Sequence, residues 1–98
     1  MPYISKEDRI PLDPIVDVAI RILERKPLDE SLGDLNYLFS RILAGAIGKT
    51  SYRKIAMATG VLENVKQELY RRLATPYEDE KIAQNGDVRE YEPSPHLK

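Results

Sequence analysis

The chain has no cysteine, no tryptophan and a single histidine in 98 residues. Without cysteine there is no disulfide framework, no thiolate metal site and no thiol nucleophile. One histidine cannot build a zinc site with several imidazole ligands. It stands at His96 in a proline-rich tail, so a Ser–His arrangement would have no rigid base. Long apolar runs are also missing, and nothing approaches the ~18 residues of a membrane span. The opening Met1-Pro2-Tyr3-Ile4-Ser5-Lys6-Glu7-Asp8 has acids where a secretory signal has its apolar core. A soluble, cytoplasmic chain is therefore expected, with no membrane partner. Phosphate-cradling glycines are absent as well. Gly45 and Gly48 precede Lys49-Thr50, but the spacing is not that of a P-loop, and a helix end is the better reading.

Excess charge of one sign is lacking too, since fifteen positive residues meet sixteen negative ones. That balance is a cancellation. Residues 51–74 carry five positive and two negative charges, and residues 75–98 carry three and six. A basic segment is thus followed directly by an acidic one. The two can fold against each other or against a partner subunit, or the basic part can bind an anion; the first reading is preferred.

What is present is a globular balance, 42% hydrophobic and 32% charged. A chain this short buries only a modest fraction of its surface, so an uncovered apolar stripe would point to an oligomer. Asp13-Pro14 reads as a helix start, with Asp13 as N-cap and Pro14 at the first helical position. Ile15, Val16, Ala19, Ile22 and Leu23 then recur at helical spacing, and Lys26-Pro27 ends the helix. Val18 and Ile20 lie outside that stripe, so this helix is apolar around a wide arc. Asp29 to Ser31 starts a second helix, with Leu32, Leu35, Phe39, Ile42, Leu43 and Ala46 on one face and an end near Gly48. Ser51 is an N-cap for a third. Gly60 interrupts it or separates two helices, and Leu62, Val65, Leu69 and Leu73 continue a stripe.

Thr75-Pro76-Tyr77-Glu78 has the pattern of a capping box with proline at N1. It predicts a break at Thr75 and a last helix from Pro76 to about Gln84. Asn85-Gly86 can cap that helix or turn a hairpin, and the cap is preferred because only Ile82 and Val88 would support the hairpin. The expectation is an all-α fold, a small bundle of three or four helices with short extended N- and C-terminal segments. Residues 1–12 form the arm, 13–86 the helical domain and 87–98 the tail.

Candidate chemistry is thin. Glu78, Asp79 and Glu80 are adjacent, so on a helix they point in different directions, and acids in a first turn suit the helix dipole. Glu30 and Asp34 could supply half of a magnesium site, but Glu63 and Glu68 do not match them in spacing. No metal, no cofactor and no catalytic residue is expected. A nucleic-acid alternative rests on residues 51–72. Ala56 and Gly60 have the spacing of a helix-turn-helix, and the segment is basic, with Glu63, Asn64 and Gln67 on the reading face and Lys66, Arg71 and Arg72 for phosphates. Thr59, Leu62 and Lys66 depart from that motif.

Tyrosine is the remaining signal, six against one phenylalanine. Tyr37 and Arg41 are four apart, and Tyr70, Arg71, Arg72 and Tyr77 cluster in sequence. Rings with a polar edge beside arginines suit interfaces and half-buried networks. The candidate polar network is Asn36, Tyr37, Arg41, Glu68, Tyr70, Arg71, Arg72, Tyr77 and Glu78. Val18 and Ile20 are the candidate face of a homodimer. The favoured reading is a non-enzymatic interaction or oligomerising module.

Gly33-Asp34-Leu35-Asn36-Tyr37, Gly60-Val61-Leu62-Glu63, Glu68-Leu69-Tyr70-Arg71-Arg72, Pro76-Tyr77-Glu78-Asp79 and Asn85-Gly86-Asp87-Val88 together resemble a known family. Its members are small uncharacterised proteins of about this length from bacteria, archaea and their phages. The opening Met1-Pro2-Tyr3-Ile4 is also similar, and the resemblance runs from residue 1 to about 91. It carries no established activity. It implies that the polar motif residues serve something the members share.

Overall fold

The fold comes from a computed structural model and is described for residues 2–92. It is all-α, with no strand among the described residues. Five α-helices follow in order: α1 Lys6–Arg9, α2 Asp13–Leu23, α3 Leu32–Ile47, α4 Tyr52–Leu69 and α5 Thr75–Asn85. A π-helical turn, Tyr70–Ala74, joins α4 to α5, and 3-10 turns lie at Leu28–Glu30 and Arg89–Tyr91. The chain divides into two compact units, Met1–Leu62 and Glu63–Lys98.

In the first unit the arm is not wholly extended. Ser5 Oγ accepts the Asp8 N–H at 3.2 Å, which starts the single turn of α1. Helix α2 begins one residue earlier than its proline suggests. Leu12 already has helical dihedrals and its carbonyl accepts the Val16 N–H at 3.1 Å, so Asp13 lies inside the helix and makes no cap.

The corner between α2 and α3 is held by Ser31, the one buried residue among those described, at 1% exposure. Its hydroxyl lies within hydrogen-bonding distance of the carbonyls of Leu23, Lys26 and Pro27, at 3.1, 3.4 and 3.2 Å. The Leu23 and Lys26 carbonyls lie at the end of α2 and its exit, where a helix leaves carbonyls without partners, and the Pro27 carbonyl also accepts the Glu30 N–H at 3.0 Å. The hydroxyl therefore serves the helix behind it, and α3 starts with no side-chain cap. Lys26 and Asp34 close the same corner with an ion pair at 3.0 Å.

Gly48 ends α3 with φ +60°, a conformation that favours glycine, and its N–H bonds the Ala44 carbonyl at 3.2 Å. Ser51 Oγ then accepts the Lys54 N–H at 3.2 Å and caps α4, as its position predicts. Lys54 Nζ reaches back to the carbonyls of Ile47 and Lys49 at 3.1 and 3.0 Å, a cation placed on a helix C-terminus. Gly60 makes no turn. It lies inside the continuous helix α4, so the turn that the helix-turn-helix alternative requires there is not formed. One glycine in a helix costs about 1 kcal/mol relative to alanine, too little to break a helix of this length.

Among the described residues of each unit, the helical stripes are not closed over into a buried core. No hydrophobic side chain among the described residues is buried. On α3 the half-covered positions are Leu35, Leu38, Leu43 and Ile47, while Phe39 and Ile42, both expected inside, remain exposed. On α2 only Ala19 and Leu23 are half-covered. An arc as wide as that of α2 needs more neighbours than so short a chain supplies.

In the second unit, Gly86 caps α5. Its φ is +87° and its N–H bonds the Ile82 carbonyl at 2.8 Å, so Asn85-Gly86 is a helix end and not a hairpin turn. The tail beyond it contains the 3-10 turn Arg89–Tyr91, so it too is not uniformly extended. Residues 93–98, including His96, lie outside the described residues.

Candidate interaction surface

The π-helical turn organises the second unit. Pro76 has no N–H to give to Arg72, and in a regular α-helix its ring would press on that carbonyl. The chain answers by inserting one extra residue into the turn. The Thr75 N–H bonds the Tyr70 carbonyl, five residues back, and both Ala74 and Thr75 keep right-handed helical dihedrals. The capping box predicted at Thr75 is therefore not made: Thr75 is helical, and the expected break is absorbed by a wider turn.

The extra residue changes which side chains meet. At about 100° per residue, Tyr70 and Glu78 would stand roughly 80° apart around an ideal helix, and the insertion brings them to within about 20°. The Tyr70 hydroxyl faces the Glu78 carboxylate. The hydrogen bond to Glu78 and then its negative charge raise the hydroxyl's pKa above the usual 10.0. One turn earlier, Arg71 Nη2 pairs with Glu68 Oε1, and the Glu68 side chain is only 16% exposed. Lys66 Nζ lies 3.7 Å from Glu63 Oε1, which also accepts from Gln67 Nε2 at 3.2 Å. Glu63, Lys66, Gln67, Tyr70, Arg71 and Thr75 line a shallow groove of about 350 Å³. Its two cations each have a carboxylate beside them, so the groove has no surplus positive charge for an anion. Lys81 Nζ sits 5.5 Å from the centre of the Tyr77 ring.

In the first unit the Arg41 guanidinium stacks over Tyr37 at 5.9 Å, as the four-residue spacing predicts. Val18 and Ile20 on α2 are 47% and 50% exposed. An apolar hollow of about 340 Å³ opens beside Ile20, Leu23 and Leu28, with Glu24 and Lys26 at its rim.

The nine residues expected as one polar network thus form separate groups. Glu68 with Arg71, and Tyr70 with Glu78, belong to the second unit, and Tyr37 with Arg41 to the first. Asn36, Arg72 and Tyr77 join none of these pairs, Tyr77 meeting Lys81 instead. Sequence reasoning missed the Lys81–Tyr77 contact, although its spacing is that of Tyr37 and Arg41. It also missed the role of Ser31, whose hydroxyl turns toward carbonyls that sequence alone does not place.

Among the described residues, no group of three or more Asp, Glu, His or Cys could hold a metal ion. No helix there is long and apolar enough to cross a membrane. Residues 1–88 match a family described as "Domain of unknown function (DUF6899)". The chain belongs to this family. The match takes in every motif on which the resemblance was read, from Gly33-Asp34 to Asn85-Gly86-Asp87-Val88. No curated protein and no solved structure matches it.

Proposed function

We propose that this protein is a non-enzymatic interaction module that completes its hydrophobic core by associating with a second copy of itself. One observation carries this reading: among the described residues no hydrophobic side chain is buried, although the sequence has the apolar content of a globular domain. Burial of apolar surface is the main favourable term in folding, at roughly 25 cal/mol per Å². Chain entropy opposes it at about 1–2 kcal/mol per residue, and a chain that left its apolar stripes in water would not offset that cost. The missing burial then lies between chains, as in obligate dimers, whose interfaces resemble a domain core cut in half.

Val18 and Ile20 are the positions on α2 that support this most directly. They lie off the helix's own stripe, half of each side chain's surface is open, and Ile20 borders the apolar hollow. Light scattering on the full chain at about 100 μM should give twice the chain mass. Val18→Asp together with Ile20→Asp should shift it toward the monomer mass, because a charge on each copy would have to be buried. A wild-type protein that remains a strict monomer at millimolar concentration would sink the reading.

A further inference from the structure

We infer that the second unit pairs with the same unit of a second copy along an antiparallel helical seam, with a two-fold axis near Thr75. This rests on the self-association proposed above and adds its surface and its direction. Val65, Leu69, Leu73 and Tyr77 are each between 49% and 64% exposed. On a regular helix of 3.6 residues per turn these positions would drift, and Tyr77 would stand about 120° from Val65. The extra residue of the π turn removes most of that drift and leaves Tyr77 about 20° from Val65. The four side chains therefore form a nearly straight apolar row across the Pro76 discontinuity. A row of that kind is what a facing helix packs against.

Charge decides what faces it. Before and within the π turn, Lys66 and Arg71 already pair with Glu63 and Glu68, so among the described residues Arg72 is the cation not held by a carboxylate there, while Glu78, Asp79 and Glu80 stand just after the turn. A parallel copy would put Arg72 on Arg72 and acids on acids. An antiparallel copy related by a two-fold axis puts each Arg72 against the partner's acidic turn, twice, which is the self-complementary arrangement of an isologous interface. Arg72, three residues before Thr75, and Glu80, five after it, fall on the same flank of the apolar row and are the pair expected to cross it.

The absence of cysteine makes the direction measurable, because one introduced thiol is the only labelling site. Asn64→Cys places a spin label eleven residues before Thr75. At 1.5 Å per residue, the two labels of an antiparallel dimer should stand about 33 Å apart, against about 10 Å for a parallel one. In the full-length chain, Arg72→Glu should weaken dimerisation about 3- to 10-fold at low salt, and adding Glu80→Arg should restore most of it. A label distance near 33 Å with that rescue supports the inference. A short distance, no measurable distance in a protein of dimer mass, or a double variant as weak as the single one overturns it and leaves self-association standing. A monomer mass for the wild type overturns both.

Discussion

At the scale of single residues, two side chains carry more than their size suggests. Ser31 is small, uncharged and the last residue of the Asp29–Ser31 start signal, so its place in sequence points forward to α3. In the structure its one hydroxyl proton is turned to the carbonyls at the end and exit of the preceding helix instead, because the corner folds α2's end onto it. Ser31→Ala leaves those carbonyls without the hydroxyl in a buried site and should destabilise the fold by about 1–2 kcal/mol in urea unfolding. A change within a few tenths would show that water replaces the hydroxyl. Tyr70 gives a second test. Its phenol holds its proton more tightly in the folded state than in the unfolded one, because it bonds to Glu78 and faces its charge. The contribution to stability is thus fully present below the ordinary tyrosine pKa and is lost as pH rises through the raised folded value. Ultraviolet titration should show one tyrosine ionising later than the others, and Glu78→Gln should bring it back among them. An unchanged titration curve in Glu78→Gln would disprove the assignment.

At the scale of elements, much was legible because helix ends are written in local chemistry. Ser51 as a cap, Gly48 and Gly86 as ends, and the Tyr37–Arg41 stack all follow from spacing and from the conformations a residue type allows. Two features were not legible, for the same reason. Thr75-Pro76 carries signals both for a new helix and for a disturbed old one, and only the path of the chain on either side selects the second. Gly60 likewise fits a turn or an open helix face. A Cβ built at Gly60 meets nothing within 4 Å, so Gly60→Ala should raise stability by about 1 kcal/mol, where a turn glycine would make the same change harmful. Pro76→Ala removes the cause of the π turn. Helix content by circular dichroism should hold or rise, while self-association weakens, since Leu73 and Tyr77 rotate off the row. Association unchanged by Pro76→Ala would mean that the row is not the contact.

At the scale of the whole molecule, the all-α class was readable from periodicity, whereas the location of the core was not. Periodicity says which faces are apolar, but the side chains that cover them belong to whatever packs there. Val18 and Ile20, outside the α2 stripe, were the hint that one chain does not cover everything, and the exposure of Phe39 and Ile42 extends that hint to α3. The charge cancellation has the same character: near zero in sum, it separates along the sequence into a basic segment, residues 51–74, and an acidic one, residues 75–98.

If folding and association are one event, stability must depend on protein concentration by mass action. The most direct measurement is the thermal midpoint of the wild-type chain, followed by circular dichroism from about 1 μM to 1 mM. The expected result is a midpoint that climbs by several degrees across that range, with a single transition throughout. A cooperative transition at the same temperature at every concentration would contradict the claim that this protein folds its core between two copies of itself.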